Sequence, residues 1–390
     1  MRALWNTGAG RLACGAVGML ALAVAVALIA LWPGSQETDA RRGAAPDHEA
    51  RVVAVGSVRC PTPQQRHCAR AKARFTEGPE RGNVGSFDAS TAGEAAAVDV
   101  GNKVFLASNK LPNQELAEGV EPYSLTGFQR HGPLLLLVAL FVGFVLLLGR
   151  VRGAMALVGL AISLLLVVKF VVPAILDGRS PILVATVGAL AVMIVTIALC
   201  HGLGAQSIAA ILGTTVSLAL TLALASIFIG LTNITGASSE ESQLVLAGRS
   251  DLSLDGLILA GMIIGALGVL DDLTVSQAST VMALRRANPT KRWRELYREA
   301  VTVGRDHVAA TVNTLVLAYV GAALPILLIF SVGGTTFGEA VNIEEVAIEI
   351  VATLVGSIGL ITAVPITTAL AAVLAARLPT RALPHQQHAH

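Results

Sequence analysis

Charged residues are scarce in this chain of 390 residues: Asp, Glu, Lys and Arg together make up 14%, whereas soluble domains carry roughly a quarter. Aromatic residues are also few, at 4%, while hydrophobic residues reach 54% and occur in long runs. These proportions are not those of a soluble globular domain. They predict a protein whose main partner is the lipid bilayer. The formal net charge of +2 gives no reason to expect a nucleic-acid partner.

The chain also lacks the common catalytic motifs. It has no phosphate-binding loop of the Walker type, no HExxH, no GxSxG and no heptad or solenoid repeat. An intramembrane aspartyl protease would need aspartates on two facing helices, but the aspartate pair of this chain is adjacent, at Asp271 and Asp272. We therefore expect no enzyme activity and no cofactor, although a bound cation remains compatible with the sequence.

Cysteine is rare, with four residues in the chain. Cys14 and Cys200 lie in or beside apolar runs, which predicts buried thiols. Cys60 and Cys68 lie in a polar stretch and form a candidate disulfide if that stretch faces an oxidising compartment. A metal site with His67 as a third ligand is the weaker alternative, because zinc sites usually have closer cysteines and four ligands.

A membrane-spanning helix needs ~20 mostly apolar residues, and eight apolar runs predict such helices. The first, Leu12–Trp32, is interpreted as an uncleaved anchor, since no small-residue cleavage site follows it. The other seven are Pro133–Leu148, Gly153–Val172, Ile182–Cys200, Ser207–Leu231, Leu254–Leu284, Ala309–Val332 and Val346–Ala376.

The predicted fold is an all-α membrane helical bundle with a small β-rich domain outside the cytoplasm. An N-terminal anchor covers residues 1–32, an extracytoplasmic region covers 33–130, a seven-helix membrane domain covers 131–376, and a cytoplasmic tail covers 377–390. Short β-prone stretches separated by turn residues place the β-rich domain at about 48–112, and we predict a small β-barrel there.

Charge in the loops predicts the orientation. The connection at residues 285–308 is rich in Lys and Arg, whereas acidic residues occupy loops of the opposite set, such as Glu339 and Glu344. Because basic loops stay in the cytoplasm, both termini are predicted to be cytoplasmic.

The most informative polar residues are Asp271 and Asp272, which lie within a long apolar run. A carboxylate at the centre of a membrane helix costs on the order of 2.5–3.5 kcal/mol on insertion scales, so a counter-charge, a cation, protonation or water must offset it. Helical spacing places Thr274 near Asp271, Ser276 near Asp272, and Gln277 at the boundary between the two faces. Such hard oxygen donors suit a hydrated cation or a proton relay.

Two further polar residues are candidates for the same path. Asn313 lies within a predicted helix and needs a partner, and Glu349 shares a helix face with Glu345. Gly261, Gly265 and Gly268 predict close helix approach beside the aspartate pair. A purely structural role remains open, in which the aspartates cap a helix or only hold helices together.

The stretch from Gly268 to Ser279, GVLDDLTVSQAS, resembles the signature of the YibE/F family of bacterial multi-pass membrane proteins. Further similar stretches lie at Gly127–Arg130, Thr196–Gly202, Thr235–Glu241, Arg305–Tyr319 and Thr353–Gly359, and the arrangement resembles that of actinobacterial members. The resemblance implies a multi-pass protein of the bacterial cytoplasmic membrane, but it supplies no reaction.

We therefore expect a permease or channel for a small ion or polar solute. Asp271 and Asp272 would be its cation or proton sites, with Thr274, Ser276 and Gln277 completing coordination, and with Asn313 and Glu349 lining the same path. The alternative is a non-transporting assembly protein, whose outer domain binds an envelope protein or whose chains form a homo-oligomer.

Overall fold

The computed structural model describes residues 7–34, 48–58, 68–78, 80–89, 98–109, 121–238 and 252–378. The chain divides into two compact units. One comprises Met1–Gln36 together with Leu148–His390, and the other comprises Glu37–Leu147.

The second unit contains a closed β-barrel, as predicted. Its strands are β1 (His48–Val58), β2 (Cys68–Phe75), β3 (Val84–Asp88), β4 (Lys103–Ser108) and β5 (Tyr123–Phe128), in the order β1-β2-β3-β5-β4. All pairings are antiparallel except that of β3 with β5. Side chains alternate between the interior and the surface, so that in β2 Ala71 and Ala73 are buried while Lys72 and Arg74 are exposed.

The predicted β-rich domain ended too early. Strand β5 lies beyond residue 112, yet it pairs with both β3 and β4 and so closes the barrel. The residues of β5 are mostly half-buried, and their burial does not alternate between interior and surface. β5 is identified as a strand by its pairing with β3 and β4.

Cys68 is buried at the start of β2 and is disulfide-bonded. Its predicted partner, Cys60, lies outside the described residues, so the pairing stays a prediction. Cys14 and Cys200 are free thiols, and both are only partly buried.

The remaining described elements are helical. They are α1 (Gly8–Ala30), α2 (His131–Leu166), a π-helical turn (Val167–Val171), α3 (Val172–Leu176), α4 (Pro181–His201), α5 (Ala205–Thr232), α6 (Leu254–Ala287), α7 (Trp293–Val332), α8 (Phe337–Ala340) and α9 (Glu344–Arg377). Seven helical segments among the described residues are long and apolar enough to cross a membrane.

This count differs from the predicted eight because the second and third apolar runs fall within one segment, His131–Leu176. The helix is interrupted inside that segment at Arg150, whose φ of 47° and ψ of −128° are not helical. A 46-residue segment is about twice as long as one crossing requires. The number of helices therefore does not by itself give the number of crossings.

The core of the helical unit lies among α4, α5, α6 and α9. Helices α5 and α9 approach closely at two glycines: a Cβ at Gly213 would lie 2.1 Å from Oγ1 of Thr367, and a Cβ at Gly359 would lie 2.1 Å from Oγ1 of Thr221. The predicted close approach is absent at Gly261 and Gly268, where a Cβ would meet no atom within 4 Å. At Gly265 a Cβ would lie 3.4 Å from the hydroxyl oxygen of Tyr319 on α7.

Candidate functional site

A cavity of about 470 Å³ lies beside the aspartate pair, between α2, the π-helical turn, α4 and α6. Ligand pockets in proteins commonly enclose ~300–1,000 Å³. Most of the wall is aliphatic, formed by Leu160, Leu164, Val167, Val171, Ala189, Val192, Ile197, Ile264, Leu267 and Val275, with Gly188 and Gly268. Its polar side chains are Ser163, Thr196, Cys200, His201, Asp271 and Asp272.

The π-helical turn and a glycine shape one wall. Val167 and Val171 belong to the turn, and π-helical segments often occur at functional sites because they shift the register of the side chains that follow. A Cβ at Gly188 of α4 would lie 2.7 Å from Cγ2 of Val171. Only glycine therefore allows α4 to pack this closely against the turn.

Asp271 is the partly buried carboxylate of the cavity. Its Oδ2 lies 3.3 Å from Oγ1 of Thr196, but that hydroxyl is closer to the carbonyl oxygens of Val192, at 2.7 Å, and Met193, at 3.1 Å. A hydroxyl has one hydrogen, so the shortest of these contacts is the dominant one. Oδ1 of Asp271 is buried and has no hydrogen-bond partner among the described residues.

Asp272 is exposed and lines the same cavity. It interacts electrostatically with His201 at the end of α4, and Arg152 also acts on that imidazole. The two carboxylates therefore occupy different surroundings. Asp271 lies among aliphatic side chains, whereas Asp272 is exposed and lies near His201.

Thr274 and Gln277 point away from the cavity and join helices. The hydroxyl of Thr274 is completely buried and lies 2.6 Å from that of Thr214 on α5. Nε2 of the buried Gln277 donates to the carbonyl of Ala300 on α7 at 2.8 Å and to Oγ1 of Thr368 on α9 at 2.7 Å. Both side chains already have interhelical partners, and neither lines the cavity.

The other predicted site residues also lie apart from the cavity. Ser276 is half-buried on α6 and is not part of the cavity wall. Asn313 is exposed on α7, and Glu349 is partly buried on α9, where its carbonyl accepts a hydrogen bond from Thr353. Of the seven predicted residues, the structure brings only Asp271 and Asp272 together at the cavity.

The energetic cost of burying charge in a membrane helix identifies the aspartates of α6 but not the residues that α4 contributes to the site. Thr196, Cys200 and His201 line the cavity opposite α6, whereas a histidine at the end of an apolar run is ordinarily an interfacial residue. The only signal in the sequence was that the stretch Thr196–Gly202 is one of those that resemble the YibE/F family.

No group of three or more His, Cys, Asp or Glu residues suited to holding a metal ion occurs within the part of the chain that the structure describes. The two aspartates are therefore not supplemented there by the further charged ligands that hard metal ions commonly receive from proteins.

Comparison with protein families gives a match over more than half of the chain, to the YibE/F-like protein model at residues 137–377. The chain belongs to the YibE/F-like family. The match covers every residue of the cavity wall and leaves the β-barrel outside it. Neither the curated proteins nor the solved structures contain a match. Family membership and the apolar helices together identify a multi-pass integral membrane protein of the YibE/F type.

Proposed function

We propose that this YibE/F-type protein is a permease or channel for a small ion or polar solute, with Asp271 and Asp272 in its solute site. The observation that carries the proposal is Oδ1 of Asp271, a buried carboxylate oxygen beside a cavity of about 470 Å³ that has no hydrogen-bond partner in the described part of the chain. A carboxylate within a membrane segment is costly unless a counter-ion, a proton or water offsets it. A solute that enters the cavity would supply that offset.

The test is ion flux in proteoliposomes, followed with a pH-sensitive dye and a panel of monovalent and divalent cations. We expect the variant Asp271→Asn/Asp272→Asn to lose the flux. Asp306→Asn is the matched control, because Asp306 is exposed on α7 and does not line the cavity. Flux that persists in a folded double variant would contradict the proposal.

A non-transporting assembly protein is the second candidate. It is favoured by Thr274 and Gln277, whose polar groups join α6 to α5, α7 and α9. These residues of the family motif therefore hold helices together. The discriminating experiment is co-purification. A stoichiometric envelope partner that is lost when residues 48–128 are deleted would favour assembly.

We also propose that the protein lies in the bacterial cytoplasmic membrane with both termini in the cytoplasm and the barrel outside. This orientation needs an even number of crossings, and so needs the segment His131–Leu176 to cross twice. The length of that segment and the non-helical Arg150 within it support two crossings.

A further inference from the structure

We propose that the cavity binds an organic ammonium ion that carries N–H donors on an apolar body, with the ammonium group on Asp271. This inference rests on the proposed function and names the class of solute. Its basis is the contrast between the buried Oδ1 of Asp271 and the mostly aliphatic wall of the cavity.

The wall disfavours an inorganic cation. A dehydrated metal ion such as Ca²⁺ takes 6–8 oxygen ligands, and no group of three His, Cys, Asp or Glu residues able to hold one occurs among the described residues. A hydrated ion would need polar groups around its water shell, but most of the wall is leucine, isoleucine, valine and alanine. An organic cation suits both the carboxylate and the aliphatic wall. Its charge pairs with the carboxylate, and its apolar body replaces water at the aliphatic surface.

The type of ammonium follows from the same residues. The described wall contains no Phe, Tyr or Trp, so it offers none of the aromatic faces on which quaternary ammonium ions are usually bound. Oδ1 of Asp271 has no hydrogen-bond donor within the described ranges of the chain, and Thr196 donates chiefly to Val192. A primary, secondary or tertiary ammonium supplies that donor in a charge-assisted hydrogen bond, whereas a quaternary ammonium has no N–H to give.

Cys200 offers a direct measure of occupancy, because it is a free thiol in the cavity wall. The protein with Cys14→Ala is reconstituted in nanodiscs of phosphatidylglycerol and phosphatidylcholine and labelled with N-ethylmaleimide, and Cys200→Ala identifies the signal. Three probes with similar apolar bodies are compared at constant pH: cyclohexylamine, cyclohexanol and trimethylcyclohexylammonium. We expect only cyclohexylamine to slow the labelling of Cys200.

Asp271→Asn should raise the amine concentration needed for protection by about tenfold or more, as expected for loss of a charged hydrogen-bond acceptor. Asp306→Asn should leave it unchanged. Protection by all three probes equally, protection that survives Asp271→Asn, or no protection by the amine would each overturn the proposal.

A second pair of nanodiscs distinguishes the source of the ammonium group. Phosphatidylethanolamine carries an N–H-bearing ammonium, whereas phosphatidylcholine carries a quaternary one. Protection of Cys200 by both cyclohexylamine and phosphatidylethanolamine, lost in Asp271→Asn, assigns the ligand to a lipid headgroup. Protection by cyclohexylamine but not by this lipid assigns it to a free amine.

The failure of this inference is separable from the failure of the proposed function. Cation or proton flux that depends on Asp271 and Asp272, without protection of Cys200 by the amine, would remove only the solute class. Protection by the amine without flux of any cation or of the amine itself would instead leave a binding protein and remove the transport function.

Discussion

Gly359 of α9 lies directly against Thr221 of α5, and a Cβ at position 359 would lie 2.1 Å from the hydroxyl oxygen of that threonine. The hydroxyl is fixed in this position because it donates to the carbonyl of Ser217 at 2.8 Å. The same arrangement occurs in the opposite sense between Gly213 of α5 and Thr367 of α9. The two helices therefore approach each other through small residues, as is usual where lipid provides no hydrophobic drive for association.

Gly359→Ala should destabilise the protein by about 1–3 kcal/mol, the usual cost of overpacking a tight contact. Thermal unfolding in detergent, followed by size-exclusion chromatography, measures the change. Thr221→Ala should relieve part of the loss in the double variant, because it removes the atom that clashes. Gly261→Ala is the control, since a Cβ there meets nothing within 4 Å. Equal stability of the two alanine variants would contradict the close contact.

Gln277→Ala should lower stability without abolishing the cavity. It removes the hydrogen bonds to Ala300 and Thr368, and polar contacts between membrane helices average ~0.6 kcal/mol with a maximum near ~1.7 kcal/mol. A double-mutant cycle with Thr368→Val isolates the contact. Because Gln277 does not line the cavity, the folded fraction should retain amine protection of Cys200. Lost protection in a folded variant would place Gln277 in the solute site after all.

Thr196→Val and Asp271→Asn should differ strongly in amine protection. The hydroxyl of Thr196 donates chiefly to Val192, and its contact with Asp271 is the longest of its three, at 3.3 Å. Removing the hydroxyl should therefore change the protecting concentration by less than about tenfold, since a neutral hydrogen bond contributes only about 0.5–1.5 kcal/mol. A loss as large as that of Asp271→Asn would instead make Thr196 part of the ammonium site.

Tyr123 of the barrel should ionise unusually late. The pKa of Tyr123 is raised from 10.0 to about 12. Burial is the largest cause, followed by the hydrogen bond that the hydroxyl donates to Glu80 and by the negative charge of that carboxylate. A raised pKa stabilises the protonated fold, so this contribution is complete below pH 10.0 and is lost as pH rises through about 12.

The difference in tyrosinate absorbance between wild type and Tyr123→Phe isolates this titration. Glu80→Gln should lower the midpoint but leave it above 10.0, because burial remains. A wild-type midpoint near 10.0 would show that Tyr123 is neither buried nor bonded to Glu80 in solution.

The proposed orientation predicts which residues a membrane-impermeant maleimide reaches in intact cells. In a chain carrying Cys14→Ala and Cys200→Ala, we expect Lys72→Cys on β2 to be labelled from outside. Thr290→Cys, in the exposed connection between α6 and α7, should be labelled only after lysis. Labelling of both residues in intact cells would contradict the assigned sidedness of the connection.

The apolar runs predicted the bounds of five helices closely, namely α1, α4, α5, α6 and α9. A membrane helix forms its backbone hydrogen bonds within itself, so a contiguous apolar stretch is enough to predict it. The family could also be predicted from the sequence, because the motif around Asp271 is one contiguous stretch of the chain. The continuous segment His131–Leu176 was not predicted from the sequence. The charged residues Arg150 and Arg152 indicated a loop there, but only Arg150 has a non-helical conformation. Strand β5 also lies outside the predicted β-rich domain, although it pairs with β3 and β4.

For the candidate site, the sequence determined that Asp271 and Asp272 are costly in a membrane helix, because that cost depends only on charge and on the apolar residues around them. It could also place Thr274 and Gln277 on helix faces, because the helical period is fixed. Only the tertiary structure decided what each face meets. Thr274 and Gln277 reach other helices, whereas Asp271 reaches a cavity completed by Thr196 and His201. The physical reason is that helical periodicity is a local property, while the choice of neighbouring helix depends on packing between residues distant in the chain.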